Sequence, residues 1–473
     1  WYQQVLSIAQ KILIWLKISI LALIKSISGI RGTIGGKRGD NLTPVDIVES
    51  VAGFGAWILK STPEASVVVG RDGRISGEMV SQLAIQTLVG MGIHVIDLGY
   101  STTPTVEMYV TKAKAQAGII FTASHNPKEW NALKFLNEKG EFISAQDGAT
   151  ILAMIEEGDL HFASVDKLGK VSQAHDAIDY HIDAILDYKY VDCASIAKAG
   201  FYVVVDCINS TGAISIPPLL DALGVKYDLI NEEITGDFAH NPEPLPGHLQ
   251  QLCNTVVEKG AHMGISIDPD VDRLAFVCED GTVFGEEGTL VAIADYLLTM
   301  EKGNTVSNLS STRALADVTQ RHGGSYHAAA VGEVNVVHMM KEVNALIGGE
   351  GNGGVIVPEL HYGRDALAGI ALFLSYISNK LMRLSEVRDS LPQYTIIKDK
   401  LDVAGLDLDA IFSKLKSAFA GEKLNDIDGL KIDFKSGWVH FRKSNTEPIV
   451  RIYAEARTEE EARLLIDQVK AII

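Results

Sequence analysis

FYVVVDCINSTGAISIPPLLDALGVKYDLI, residues 201–230, contains one full repeat of the pattern that decides the fold. FYVVVD (201–206) is an apolar run of aromatic and β-branched residues, which suits a strand buried on both faces. A helical stretch follows over 212–223, and KYDLI (226–230) reads as a second strand. A helix over 247–259 and a third strand, MGISID (263–268), continue the series. Strand and helix in alternation mark βαβ units and a largely parallel sheet.

The alternation extends both ways. Upstream lie SVVVG (66–70), a helix over 76–91, HVIDLG (94–99), AGIIF (117–121) and a helix over 145–157. A polar passage near 159–175 interrupts it. Downstream come a helix over 287–300, TVSNL (305–309), helices over 312–321 and 333–343, and the glycine-rich ALIGGEGNGG. From Tyr394 the texture changes: TIIKDKLDV, LKIDF, WVHFR and PIVRIYAEA suit a more antiparallel layer, with helices over 409–419 and 458–472. The expected fold class is therefore α/β: three similar α/β domains with mixed, largely parallel sheets, then a C-terminal α+β domain. The three units have the look of a degenerate repeat.

The chain has 473 residues, enough to bury a large core without staples. Lys and Arg number 42 against 60 Asp and Glu, a net charge of −18. That excludes non-specific binding to nucleic acid or an anionic membrane, which needs a basic surface. A phosphate site on such a chain must be built from a few placed cations, helix N-termini or a metal. The four cysteines, Cys193, Cys207, Cys253 and Cys278, are too few for a disulfide scaffold and form no C-x-x-C pair, as expected in a reducing cytoplasm. ILIWLKISILALI (12–24) is only 13 residues long and contains a lysine, whereas a membrane helix needs about 20 apolar residues. It is expected to be an amphipathic extra helix or an extension and not a membrane span.

Ligands of open α/β sheets bind outside the carboxyl ends of the strands. Four polar loops occupy such places. Thr122-Ala123-Ser124-His125-Asn126-Pro127 offers a hydroxyl beside an imidazole, either a phosphoryl-carrying serine or a proline-capped turn. Asp268-Pro269-Asp270-Val271-Asp272-Arg273 alternates three carboxylates. Like charges near 4 Å repel by roughly 4 kcal/mol at an effective dielectric of 20, so a cation is needed, and hard oxygens with an open position suit Mg²⁺. Gly348 to Gly354 surrounds Glu350 and Asn352 with glycine, so the backbone can approach a ligand and the two side chains suit sugar hydroxyls. Arg442-Lys443-Ser444-Asn445-Thr446-Glu447-Pro448, with Arg451 beyond, combines cations, hydroxyls and an amide, as a phosphate dianion requires.

TASHNP, DPDVDR, a Gly-Glu loop and RKSNTEP, in this order, resemble the α-D-phosphohexomutase family over residues 23–473. GIRG (29–32) and the lysine-bearing NALKF (131–135) add to the likeness. The resemblance implies four domains around a central cleft, here 23–168, 169–276, 277–392 and 393–473, preceded by an extension over 1–22. It implies that Ser124 is phosphorylated and that Mg²⁺ lies between Ser124 and Asp268, Asp270 and Asp272. It also implies exchange of phosphate between O6 and O1 of a hexose phosphate through a 1,6-bisphosphate. Lys134, Arg31, His125 and Arg273 would serve acid/base or electrostatic roles. Glu350 and Asn352 would bind the sugar; Arg442, Ser444, Asn445, Thr446 and Arg451 would hold the non-reacting phosphate. The last domain is expected to hinge. The expected partners are small hexose phosphates, with a monomer or homodimer and no nucleic acid; phosphoglucosamine is slightly preferred over glucose or mannose phosphate.

One departure stands out. Many bacterial relatives end the sugar loop in histidine, and this chain has Gly354 there. His361 and Arg364 in HYGRD are the candidate substitutes. Two rival readings remain. DPDVD also fits the D-x-D-x-[TV] pattern of haloacid-dehalogenase-type phosphatases, with Asp268 as nucleophile. Such domains begin with that strand, however, and here some 260 residues precede it. A non-catalytic sugar-phosphate binder would be expected to have lost Ser124 or an aspartate.

Overall fold

The computed structural model of the chain describes residues 23–26, 29–380, 382–402, 407–443 and 449–472. The apolar N-terminal stretch up to residue 22 lies outside them. Among the described residues no helix is long and apolar enough to cross a membrane.

The first sheet holds β1 (Ile24–Ser26), β2 (Gly29–Thr33), β3 (Ser66–Arg71), β4 (His94–Tyr100), β5 (Ala117–Phe121), β6 (Trp130–Leu136) and β7 (Val171–Gln173), in the order β1-β2-β6-β5-β3-β4-β7. β3 pairs in parallel with β4 and β5, and β6 runs antiparallel to β5. The second sheet is β8 (Tyr202–Asp206), β9 (Lys226–Ile230), β10 (Met263–Ile267) and β11 (Leu274–Cys278), ordered β11-β10-β8-β9. The third is β12 (Asn304–Asn308), β13 (Tyr326–Ala329), β14 (Ala345–Glu350) and β15 (Gly354–Ile356), ordered β13-β12-β14-β15. β7 and the end of β11 lie past the expected limits at 168 and 276, and each pairs with the sheet before it.

The three sheets share one plan. Each contains a run of three neighbouring parallel strands (β4-β3-β5, β9-β8-β10 and β13-β12-β14) flanked by an antiparallel strand, β6, β11 or β15, and the turn into that strand carries a candidate loop. These turns hold Ser124 between β5 and β6, the aspartates between β10 and β11, and Asn352 between β14 and β15. The repeat read from the sequence is thus a repeat of topology, and it delivers one candidate turn per unit.

The C-terminal sheet is fully antiparallel: β16 (Thr395–Asp402), β17 (Lys423–Asn425), β18 (Leu430–Asp433), β19 (Gly437–Lys443) and β20 (Ile449–Ala456), ordered β16-β20-β19-β18-β17. Its own core gathers Leu430, Val439, Phe441, Ile452 and Leu415.

Second and third units share one continuous core. At its centre lies the helix Ala366–Ser378, ALAGIALFLSYIS, buried on nearly all sides. A helix apolar all round must be enclosed on every face. Phe373 stacks on Phe276 of β11 at 3.8 Å between ring centroids. The helix starts at Asp365, whose Oδ1 accepts from the amides of Leu367 (2.9 Å) and Ala368 (3.1 Å). That cap fixes the preceding residue, Arg364, at the site.

Candidate active site

A cleft of about 990 Å³ is lined from all four units: Arg31, Ser124, His125 and Lys134; Glu243 and Arg273; Glu333, Glu350, Asn352 and Arg364; His440, Arg442 and Arg451. The sequence-chosen residues Asp268, Asp270 and Asp272 lie behind its wall, fully buried.

Ser124 has φ +50°, a left-handed conformation that few non-glycine residues adopt. Arg74 holds it there. This arginine is about 1% exposed. It pairs with Asp72 at 3.0 Å and donates to the carbonyls of Ser124, Asn126, Pro127 and Trp130. The Ser124 amide is tied to Thr122 Oγ1 at 2.9 Å. The hydroxyl is thereby aimed at the second unit, where it donates to Asp268 Oδ2 at 2.6 Å.

The aspartate turn is strained as well: Val271, β-branched and buried, has φ +60°. Ser210 and Thr211 brace it through the Pro269 carbonyl at 2.7 and 2.9 Å. Asp268 Oδ1 accepts from the amides of Asp272 (3.1 Å) and Arg273 (3.0 Å). Asp270 Oδ2 accepts from Thr103 Oγ1 (2.6 Å) and Lys134 Nζ (2.8 Å). Asp272 Oδ2 accepts from Arg364 at 2.7 Å.

The donor set fits a hard divalent cation. One oxygen from each aspartate lies within 4.8 Å of the others, and the buried Oδ1 atoms of Asp270 and Asp272 have no hydrogen-bond partner. Buried carboxylate oxygens left bare are costly, and a cation would satisfy them. Burial first, then Asp272 and Asp270, push the Asp268 carboxyl well above the ordinary range. Burial and the two neighbouring carboxylates thus disfavour its charge, whereas at Asp270 burial is outweighed by Lys134, which pulls that carboxyl down.

The remaining charges follow from their neighbours. Burial, then the Arg273 and Arg31 guanidiniums, pull His125 down to about 2, so its imidazole is neutral; Nδ1 lies 3.4 Å from Ser124 Oγ. Burial opposes the charge on Lys134, but Asp270 and Asp272 outweigh it and raise its pKa. Arg31 donates to Asn126 Oδ1 at 3.1 Å, and Arg273 pairs with Glu243 at 2.8 Å. Glu350 Oε1 accepts from Asn308 (2.9 Å) and from the Gly332 amide (3.2 Å). Asn352 lines the cleft, but its Oδ1 turns back to the Gly354 amide at 3.2 Å.

At the far end, Arg442 and Arg451 stand opposite each other on β19 and β20. Arg442 is paired with Asp428 at 2.9 Å. Two like charges directly across a ladder are unfavourable unless an anion joins them. Ser444, Asn445 and Thr446, expected beside them, lie outside the described residues.

Arg74, Thr103, Glu243 and Glu333 were not singled out by the sequence reading. Arg74 had a visible signal, the charged turn RDGR (71–74) at the end of the strand SVVVG. The others had none, because their roles arise from contacts distant in sequence: Thr103 meets Asp270 across units, and Glu243 and Glu333 meet Arg273 and Arg364 through the fold of their own units.

Four family profiles match nearly the whole described chain. Phosphoglucomutase/phosphomannomutase alpha/beta/alpha domain I matches residues 23–161, domain II 179–281, domain III 286–394, and the C-terminal domain 398–472. A phosphoglucomutase/phosphomannomutase of Thermococcus kodakarensis is 35% identical, covering 91% of this chain and 95% of the relative. A phosphoglucosamine/phosphogalactosamine mutase of Sulfurisphaera tokodaii is 30% identical, covering 94% and 98%. A crystal structure of a phosphoglucomutase/phosphomannomutase family protein from Burkholderia thailandensis shares the fold with TM-score 0.82 at 24% identity, covering 96% of this chain and 97% of that one.

Proposed function

The chain belongs to the phosphoglucomutase/phosphomannomutase family, and we propose that it moves phosphate between O6 and O1 of a hexose phosphate, with glucosamine phosphate as its sugar. Its class is that of an intramolecular phosphotransferase. The observation that carries the proposal is the Ser124 hydroxyl, held 2.6 Å from Asp268 in a turn strained to present it.

In the active state Ser124 carries a phosphoryl group. A sugar hydroxyl attacks the phosphorus, a new O–P bond forms as the Ser124 Oγ–P bond breaks, and the product is a 1,6-bisphosphate. Ser124 Oγ then attacks the other phosphate of the reoriented intermediate and recovers its phosphoryl group. Asp268, Asp270, Asp272 and the serine side would hold Mg²⁺, which when bound offsets charge on the transferring group. Arg273 supplies fixed positive charge, and His125 is the neutral imidazole nearest the serine oxygen. Lys134, Arg31 and His125 share the proton handling. Glu350 and Asn352 take ring hydroxyls. Arg442 and Arg451, with Ser444, Asn445 and Thr446, take the non-reacting phosphate. Residues 393–473 swing as the bisphosphate turns over.

Two observations support an amino sugar. Glu333 and Glu350 share the single guanidinium of Arg364, which leaves this wall acidic and suited to an ammonium group. The Sulfurisphaera relative is named for amino sugars. Glucose or mannose phosphate is the second reading, favoured by the name of the Thermococcus relative. Asp268 as a phosphatase nucleophile is disfavoured because both its oxygens are engaged.

The test is an assay with Mg²⁺ and a trace of the matching hexose 1,6-bisphosphate, using glucosamine 6-phosphate, glucose 1-phosphate and mannose 1-phosphate. Ser124→Ala is run alongside, and free phosphate is monitored. Isomerisation lost in Ser124→Ala is expected. Phosphate release that survives the substitution would overturn the mutase and move the chemistry to Asp268.

A further inference from the structure

Gly354 opens β15 and pairs with Glu350 across the sugar-loop hairpin. Gly354 is not among the glycines with positive φ, so its backbone does not call for glycine. Space does. A Cβ there would lie 2.2 Å from Arg364 Cδ and 2.9 Å from Cγ. The arginine stem fills the volume that any side chain at 354 would take.

That stem places a nearly buried guanidinium among three carboxylates from different segments. Nη2 donates to Asp272 Oδ2 at 2.7 Å, Nη1 to Glu350 Oε2 at 3.1 Å and Nε to Glu333 Oε2 at 3.0 Å. The backbone is equally fixed. Residue 364 bridges Ile356, its amide donates to Glu333 Oε1 at 3.1 Å, and the Ala366 amide donates to the Val271 carbonyl at 3.2 Å. His361 clamps the approach between Asp365 and Glu107, each 3.2 Å away. A planar fork held on three sides transmits position, which a flexible point charge would not.

We propose that Arg364 is a positioning residue that sets the sugar-binding carboxylate Glu350 relative to the metal-side carboxylate Asp272, and that residue 354 is glycine to admit it. This rests on the mutase reading of the cleft. The sugar is gripped at Glu350 while its hydroxyl reacts at Ser124, so the rigidity of the link between the two walls sets the alignment of the reacting atoms. A misplacement of about 1 Å costs on the order of 100-fold in rate. The guanidinium also competes with a divalent cation for the charge of Asp272.

The test uses the full-length protein and two readouts. One is kcat and KM for glucosamine 6-phosphate. The other is Mn²⁺ affinity, by electron paramagnetic resonance titration, which needs no turnover. Arg364→Met should bind Mn²⁺ about tenfold more tightly, because a neighbouring cation has gone, yet lose about 100-fold in kcat with KM changed less than fivefold. Damaged folding would weaken both. Arg364→Lys keeps the charge and guards against a misfolded Met variant: Mn²⁺ affinity within threefold of the parent, kcat down at least tenfold. Gly354→Ala should lower kcat about tenfold in the parent and less than twofold in Arg364→Ala, where the space is open. Arg364→Met with kcat and Mn²⁺ affinity both within threefold of the parent would overturn the proposal. So would an equal effect of Gly354→Ala in both backgrounds. If the parent itself isomerises no sugar of the panel, the mutase reading fails. The Mn²⁺ titration, with the melting temperatures of the Gly354→Ala/Arg364→Ala pair, then decides the arginine separately: additive melting shifts and an unchanged Mn²⁺ affinity overturn it.

Discussion

Arg74→Met removes five hydrogen bonds from the serine turn while keeping the side-chain stem. The lost partners are the Asp72 carboxylate and the carbonyls of Ser124, Asn126, Pro127 and Trp130. Removing one partner of a buried ion pair costs about 3–5 kcal/mol. The carbonyls can regain water if the turn opens, so they add less than a buried acceptor would. We expect a loss of about 4 kcal/mol, or roughly 10³-fold in the equilibrium that keeps the turn closed. For a unit of this size, that is about 8–16 °C in melting temperature.

The loss has a pH signature. Burial already raises Asp72, against the pull of Arg74. Without the arginine, nothing but the Thr122 hydroxyl and the Arg74-site amide opposes burial, so the folded state holds a proton that the unfolded state releases. A raised folded pKa gives stability present at low pH and lost as pH rises through the folded value. The deficit of Arg74→Met should therefore shrink at pH 5 relative to pH 8. Thermal melts at both pH values, with amide exchange across 122–130, measure it. A variant melting within 2 °C of the parent at pH 8, or a deficit equal at both pH values, would refute the assignment of Arg74 as the anchor of the serine turn.

Ser124→Ala should lower turnover by more than about 10³-fold and cost about 1–3 kcal/mol in thermal stability, because it strips buried Asp268 Oδ2 of its hydroxyl donor. Mg²⁺ at roughly 100 times its dissociation constant should add about 2.7 kcal/mol of stability, reversed by chelation and absent in Asp270→Asn; an equal thermal shift in that variant would remove Asp270 from the metal site. Burial opposes charge on His361, but Asp365 and Glu107 hold it up at about 10. Its contribution is thus complete below the unfolded value near 6.5 and lost as pH rises through about 10, so the urea concentration at the midpoint of unfolding should fall between pH 7 and 10.5, with a smaller fall in His361→Gln. Gly29 has φ +138° and a Cβ there would lie 2.0 Å from the Leu133 carbonyl oxygen, so Gly29→Ala should cost about 2 kcal/mol or more and displace Arg31 two residues on; calorimetry that shows no change would contradict the strand pairing.

The amino-acid sequence by itself determined many of the elements and the chemistry of the turns, whereas the helices Pro44–Ser61 and Ala366–Ser378 emerged only in the structure. AGIIF, KYDLI and MGISI are strands because short β-branched runs between helices leave few alternatives, and the structure places them at Ala117–Phe121, Lys226–Ile230 and Met263–Ile267. A hydroxyl, alternating carboxylates and clustered cations at strand ends are local facts, which explains why Ser124, Asp268, Asp270, Asp272 and Arg442 could be named from their neighbours in the chain. Only the tertiary structure decided which of these groups meet. Ser124 and Asp268 are 144 positions apart, Lys134 and Asp270 136, and Arg364 and Asp272 92. Periodicity tells which face of an element is buried, and carries no information about what is packed against that face. The strain at Ser124 and Val271, the bracing by Arg74 and the space that Gly354 yields to Arg364 arise as each unit folds on itself. The contacts of Ser124 with Asp268, Lys134 with Asp270 and Arg364 with Asp272, by contrast, exist only once the separate sheets have closed on one cleft.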